Sequence, residues 1–202
     1  MSGEIACHGC DLLVDVSALS DGATADCPRC GGFLTRFRTD AYERVLASAL
    51  GAIICLLLAN SFPFLSFAAS GLESVMTLRS TPMSLWEHGM PEVALLVAAF
   101  IIYIPAAVLV LLVLLAVPLN KKVHRWWLKP VAHLLFELQN WAMVEVFIIG
   151  VIVSLVKIAA MATVVLGISF WAYAAFSILF TYAVISLDRY QCWKLIEELE
   201  AA

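Results

Sequence analysis

Four of the six cysteines in this 202-residue chain fall in two Cys-x-x-Cys knuckles, Cys7-His8-Gly9-Cys10 and Cys27-Pro28-Arg29-Cys30, with sixteen residues between them. Four thiolates converging on one point form a closed tetrahedral shell, the arrangement zinc selects, and the spacing is that of a zinc ribbon. A rubredoxin-type iron site uses the same knuckles and stands as the alternative metal. A closed shell leaves no position for water or substrate, so the metal is expected to be structural. A module of about 40 residues buries too little surface to fold unaided, and the ion is expected to supply its folding energy. Cys55 and Cys192 lack matching partners and read as packing residues.

The other residues with chemical potential lie in an apolar background. The chain is 63% hydrophobic and 14% charged, with a mean hydropathy of +0.95; soluble domains run at about 45–50% and about 25%. Lipid is therefore the solvent for most of it. Four apolar runs meet the ~20-residue requirement of a membrane helix: about Val45 to Ala69, Val93 to Leu119, Trp141 to Gly167 and Ser169 to Leu187. The expected fold is an all-α integral membrane protein, with a zinc ribbon over residues 1–40 and a four-helix transmembrane domain over 41–202. That domain ends in a short helix from Asp188. No basic segment followed by an apolar core opens the sequence, so no cleavable signal is expected.

Two of these runs carry prolines, Pro63 and Pro105, each read as a helix kink. The third carries Glu145 and Lys157, twelve residues apart, hence ~18 Å along a helix and ~120° around it. They cannot pair with each other, so each needs a partner on another helix, a path to the interface or a neutral form. Counting depth at ~1.5 Å per residue places Lys157, Ser154, Asn60, Ser61, Tyr103, Ser177 and Thr181 in one layer of the outer half. Such a layer either fixes helix register or holds a protonatable lysine suited to proton-coupled movement or to an anionic headgroup. Glu145, a turn beyond Trp141, reads as interfacial.

Charge sets the expected orientation. Of the twelve lysines and arginines, ten fall before the first span, between the second and third, or after the fourth. Arg79 alone lies in the opposite loops, and Lys157 is inside the third span. By the positive-inside rule both termini are cytoplasmic, and cytosolic thiols are free for metal rather than disulfides. Net charge is −4, and residues 1–40 hold six acids against three arginines, which disfavours nucleic acid. In the far-side loop a short strand is expected near Leu72 to Arg79, and Pro130 to Asn140 reads as an amphipathic lead-in to the third span. No nucleophile with a base, open metal site or phosphate loop points to an enzyme.

Taken together, the two knuckles, Asn60 to Pro63, Ile104-Pro105, Trp141-x-Met143-x-Glu145-Val146-Phe147 and Val153-Ser154-Leu155-Val156-Lys157 resemble the paraquat-inducible protein A family along nearly the whole chain. The resemblance implies a bacterial inner-membrane protein that works with a periplasmic MCE-domain protein, passing phospholipids between the membrane and the MCE tunnel. It also implies that Ser154 and Lys157 contribute to a polar core. Family members often carry two tandem ribbon-plus-four-helix modules, whereas no internal repeat is visible here. A second copy or sister module is therefore expected as a partner. A non-transporting scaffold that anchors an MCE partner, or takes part in an envelope-stress response, is the alternative.

Overall fold

The computed structural model describes residues 4–17, 19–69, 72–142, 144–159 and 163–201; for 65–69, 72–76, 158–159, 163–166 and 201 it describes the backbone alone. The N-terminal module is two short hairpins. β1 (Glu4–Ala6) pairs antiparallel with β2 (Leu13–Asp15), and β3 (Thr24–Asp26) with β4 (Phe33–Arg36). Each hairpin turn carries one cysteine knuckle.

The rest is mostly helical: α1 (Ala41–Ser61), α2 (Ser80–Glu87), α3 (Pro91–Ala98), α4 (Ile104–Asn120), α5 (Leu128–Trp141), α6 (Val144–Ala159), α7 (Ile168–Ser186) and α8 (Arg189–Ala201). Four stretches are long and apolar enough to cross a membrane: Ala41–Ser61, Pro91–Asn120, Leu128–Lys157 and Ile168–Ser186. The second and third stretches are 30 residues each, and the second alone is ~45 Å of helix against a ~30 Å hydrocarbon core. Its ends therefore project beyond that core. The chain is a multi-pass membrane protein.

α1 is the central helix, packed on both α4 and α7. Its buried positions Val45, Ala49, Ala52, Leu56 and Ala59 recur at three- and four-residue intervals, one stripe of the helix. Three are alanine, and small residues let backbones approach where lipid supplies no hydrophobic drive between helices. Against them lie Leu109, Leu112 and Leu115 of α4 and the buried Tyr173, Phe176 and Phe180 of α7. Outside the membrane, α8 buries Cys192 and Ile196 in the same core as Leu128, Ala132 and Leu135 of α5. Trp193 stacks on His133 at 4.6 Å, and Lys129 pairs with Glu200 at 2.5 Å.

Two expectations are corrected. The first membrane helix stops at Ser61, and Pro63–Ala69 is a strand, β5. Proline disfavours the helical region for the residue before it; Phe62 is extended, at φ −108° and ψ 160°. Pro63 thus ends a helix rather than kinking one. Likewise the third span does not run to Gly167: α6 ends at Ala159, and Thr163–Leu166 forms β7. A three-stranded antiparallel sheet, β6-β5-β7, with β6 over Leu72–Thr77, caps one end of the bundle. The strand expected from Leu72 is β6; its two neighbours were assigned to membrane helices. The lead-in read over Pro130 to Asn140 lies in α5, which Ala142 at φ −82°, ψ 74° separates from α6.

Pro105 does perturb its helix. It has no N–H for the Ile101 carbonyl, and the chain just before it forms a π-helical turn, Ala99–Tyr103, in which the Ile104 N–H reaches back to Ala99. Inserted turns of this kind are a recognised cause of bends.

Candidate functional site

The four knuckle cysteines meet. Their sulfurs all lie within 4.8 Å of one another, with Cys7 Sγ 3.4 Å from Cys30 Sγ and Cys10 Sγ 3.5 Å from Cys27 Sγ. Ligands ~2.3 Å from a tetrahedral ion are ~3.8 Å apart, so the spacing suits a metal of zinc or iron size. The two knuckles are built alike. The Asp11 N–H donates to the Cys7 carbonyl and the Gly31 N–H to the Cys27 carbonyl, at 2.9 and 2.8 Å. Both Asp11 and Gly31 take positive φ, 53° and 69°, which curls the backbone around the sulfurs. Gly9 and Gly32 leave room there: a Cβ on either would come 3.6 or 3.4 Å from Cys30 Sγ.

Electrostatics fits a cation. Backbone N–H groups of Cys30 and Arg29 point at Cys27 and lower its thiol to about 6. Cys10 is pushed up to about 12: the Leu12 amide favours its thiolate, but desolvation and hydrogen bonds with the other three thiols outweigh it. Four sulfurs this close cannot all be anionic unless a positive ion sits among them. By contrast Cys192, raised to about 12 by burial, is a packing thiol as expected.

The ribbon is anchored to the bundle through Asp188, a residue the sequence reading passed over. One carboxylate oxygen caps α8 by accepting from the Gln191 N–H at 3.0 Å. The other accepts from Thr35 Oγ1 at 2.9 Å and the Arg36 N–H at 3.3 Å. Gln191 adds a bond from Nε2 to the Arg38 carbonyl at 2.7 Å. An aspartate immediately before a helical pattern is an N-cap signal, so the cap was legible, although the second bond to β4 was not. Replacing a carboxylate with three donors leaves a buried-edge threonine and two N–H groups unmet, at about 1–3 kcal/mol. Asp188→Ala is therefore expected to speed deuterium exchange at Thr35 and Arg36 while the knuckle amides stay protected; unchanged exchange at β4 would contradict the anchor.

Several polar residues of the membrane domain bond within their own helix. Phe100 packs on Trp141, ring centroids 6.5 Å apart. Lys157 lies in the last turn of α6. Lys157 and Ser154 are on the exposed side of α6, where the Ser154 hydroxyl donates to the Gly150 carbonyl. Ser61 likewise bonds within its own helix, to the Leu57 carbonyl. Glu145, expected at the interface, accepts from Thr181 Oγ1 across to α7 at 2.7 Å. Ser177 is buried.

Asn60 and Tyr103 both line a lateral groove of about 590 Å³ between α1, α2 and α3–α4. Its wall is apolar, with Leu57, Ala98 and Ile102, and Arg79 and Trp86 contribute to its lining. Asn60 Nδ2 donates to the Leu56 carbonyl at 2.8 Å, which fixes the amide and leaves Oδ1 as a buried acceptor without a partner. An unsatisfied buried acceptor is costly, and this oxygen is closed off from the open surface of the groove. Arg79 had been noted only as the lone far-side cation; its place beside Asn60 depends on the turn into α2.

These features have relatives. The family model described as "Paraquat-inducible protein A" matches residues 42–197. The intermembrane transport protein PqiA of Escherichia coli K12 is 34% identical over 193 residues, 94% of this chain and 45% of that protein. The lipophilic envelope-spanning tunnel protein A of the same organism is 22% identical over 93% of this chain and 43% of its own length. A probable intermembrane transport protein of Haemophilus influenzae is 26% identical over 94% and 45%. The chain thus spans less than half the length of these relatives. No solved structure matches it. A family model covering most of the chain, joined to a relative one-third identical along nearly all of it, makes this protein a member of the paraquat-inducible protein A family.

Proposed function

We propose that this chain is the inner-membrane module of a lipid-transport system, delivering phospholipid to a periplasmic MCE-domain partner, with both termini in the cytoplasm. The observation that carries the reading is the lateral groove: an apolar wall continuous with the hydrocarbon layer, with a cation on Arg79 and the polar side chains of Asn60 and Tyr103 in its lining. That pairing suits an amphiphile whose head is charged and whose chains are not. The names of the relatives, transport between membranes and an envelope-spanning tunnel, agree with it.

Zinc is the ion we assign to the four cysteines, on the softness of the donors and the closed shell. The exposed side of α6, with Lys157 and Ser154, is where we place a second four-helix module, either another copy or a sister subunit. A lysine facing lipid is costly until covered. Its protonation is the event we assign to the transport cycle. The test is transfer of a fluorescent phospholipid from proteoliposomes holding this chain to a purified MCE-domain acceptor. Lys157→Ala is expected to slow transfer at least about tenfold, or ~1.4 kcal/mol, while the protein still accumulates. A normal rate in that variant contradicts the role of the lysine. Absence of transfer by wild type favours the second reading, a membrane scaffold for the MCE partner, to which the closed metal site and the anchored ribbon point.

A further inference from the structure

We propose that the recess between the ribbon and the end of α7 binds the head group of an anionic glycerophospholipid from the leaflet that borders the ribbon. The recess is about 510 Å³ and lies between β4, the start of α1 and the α7–α8 junction. Its two sides differ in chemistry. Tyr182 and Ile185 belong to the last turns of the fourth membrane span, and Ile185 is 75% exposed, so this side opens on the hydrocarbon. The opposite side is polar and carries three arginines, Arg36, Arg38 and Arg189.

Those charges are only partly answered from within the chain. Asp188 is the carboxylate lining the recess, and both its oxygens are already engaged by Thr35, Arg36 N–H and Gln191 N–H. Among the described residues, no carboxylate lies within 4.0 Å of the guanidinium of Arg36, Arg38 or Arg189. Arg189 rests over the Phe136 ring at 4.6 Å, a contact that positions the group without neutralising it. Three guanidiniums at a membrane edge, each able to hold a phosphate oxygen pair, are a receptor for a phosphodiester. The apolar floor beneath selects the acylated form of that phosphate over a free one. A nucleic acid or an acidic peptide would leave Ile185 and Tyr182 uncovered.

The lipid would then touch both the ribbon and the bundle, adding to the Asp188 anchor. This does not depend on the transport reading, since a scaffold would use the same site. The test uses the full chain in neutral detergent, with thermal unfolding followed on addition of phosphatidylglycerol, of phosphatidylcholine with the same acyl chains, and of inorganic phosphate. Phosphatidylglycerol is expected to raise the midpoint by several degrees, with phosphatidylcholine and phosphate giving little. The R36Q/R38Q double variant is expected to lose the difference between the two lipids. Equal protection by both lipids, reproduction of the effect by phosphate alone, or full protection of the variant would each overturn the proposal. Should the variant unfold by itself, native mass spectrometry of wild type decides: preferential retention of phosphatidylglycerol supports the site, and equal retention of both lipids overturns it.

Discussion

Serine at Cys27 is expected to unfold the ribbon and leave the membrane bundle standing. The four strands of the ribbon are three or four residues long, and Leu13 and Phe33 are 64% and 63% exposed. Among the described residues of the ribbon, Val16 is the one buried apolar side chain besides the cysteines, too little core to hold them. Structural metal binding to such modules is worth about 10–16 kcal/mol near neutral pH, more than any other single contribution available here. Cys27 is also the thiol whose charge the backbone supports most directly, through the Cys30 and Arg29 N–H groups. Limited proteolysis is expected to cut residues 1–40 of Cys27→Ser rapidly while helical circular dichroism is retained. Adding a strong chelator to wild type is expected to do the same, and Cys55→Ser to do neither. A protease-resistant ribbon in Cys27→Ser would contradict a metal-built fold.

Gly167→Ala is expected to be the most damaging single methyl in the membrane domain. Gly167 is the residue before α7, and its N–H donates to the Phe64 carbonyl at 3.1 Å. A Cβ there would fall on the Pro63 carbonyl, 2.9 Å from its carbon and 3.1 Å from the Phe64 oxygen. Both are backbone atoms, so neither can swing aside. Next to it, the Ser169 hydroxyl binds the Ala59 carbonyl at the top of α1, tying the start of α7 to the end of α1. Moving the chain apart at residue 167 therefore strains the β5 strand and this helix junction together, the overpacking that costs about 1–3 kcal/mol or more. The variant is expected to show a lower unfolding midpoint and faster exchange of the amide at residue 167, the donor to the Phe64 carbonyl. A midpoint equal to wild type would mean the approach of β5 to α7 is loose.

Local patterns in the sequence predicted their structures well. The cysteine knuckles depend on four-residue turns, and residues that close in sequence dictate their own geometry. The four membrane runs were legible for a similar reason, because twenty apolar residues have few alternatives in lipid. Strands β5 and β7 were not, since Phe64-Leu65-Ser66-Phe67-Ala68-Ala69 and Val164-Val165-Leu166 are apolar enough to extend a membrane helix. Only Pro63, by restricting Phe62, carried the contrary signal. Depth counting ranks polar residues along the membrane normal but does not name their partners: Asn60 and Tyr103 line the lateral groove, and Glu145 bonds to Thr181. Arg79 and Asp188 act through contacts far away in sequence, to which periodicity is blind.

The proposed transport requires a phospholipid in the groove between α1, α2 and α3–α4. Ala98 is one of its small wall residues, so Ala98→Trp fills the groove with an indole, whereas Val110→Trp places the same bulk on an exposed part of α4. The deciding measurement is phospholipid transfer from proteoliposomes by these two variants, with unfolding midpoints confirming that both are folded. Transfer lost in Ala98→Trp and kept in Val110→Trp is the predicted result; equal transfer by both would contradict it.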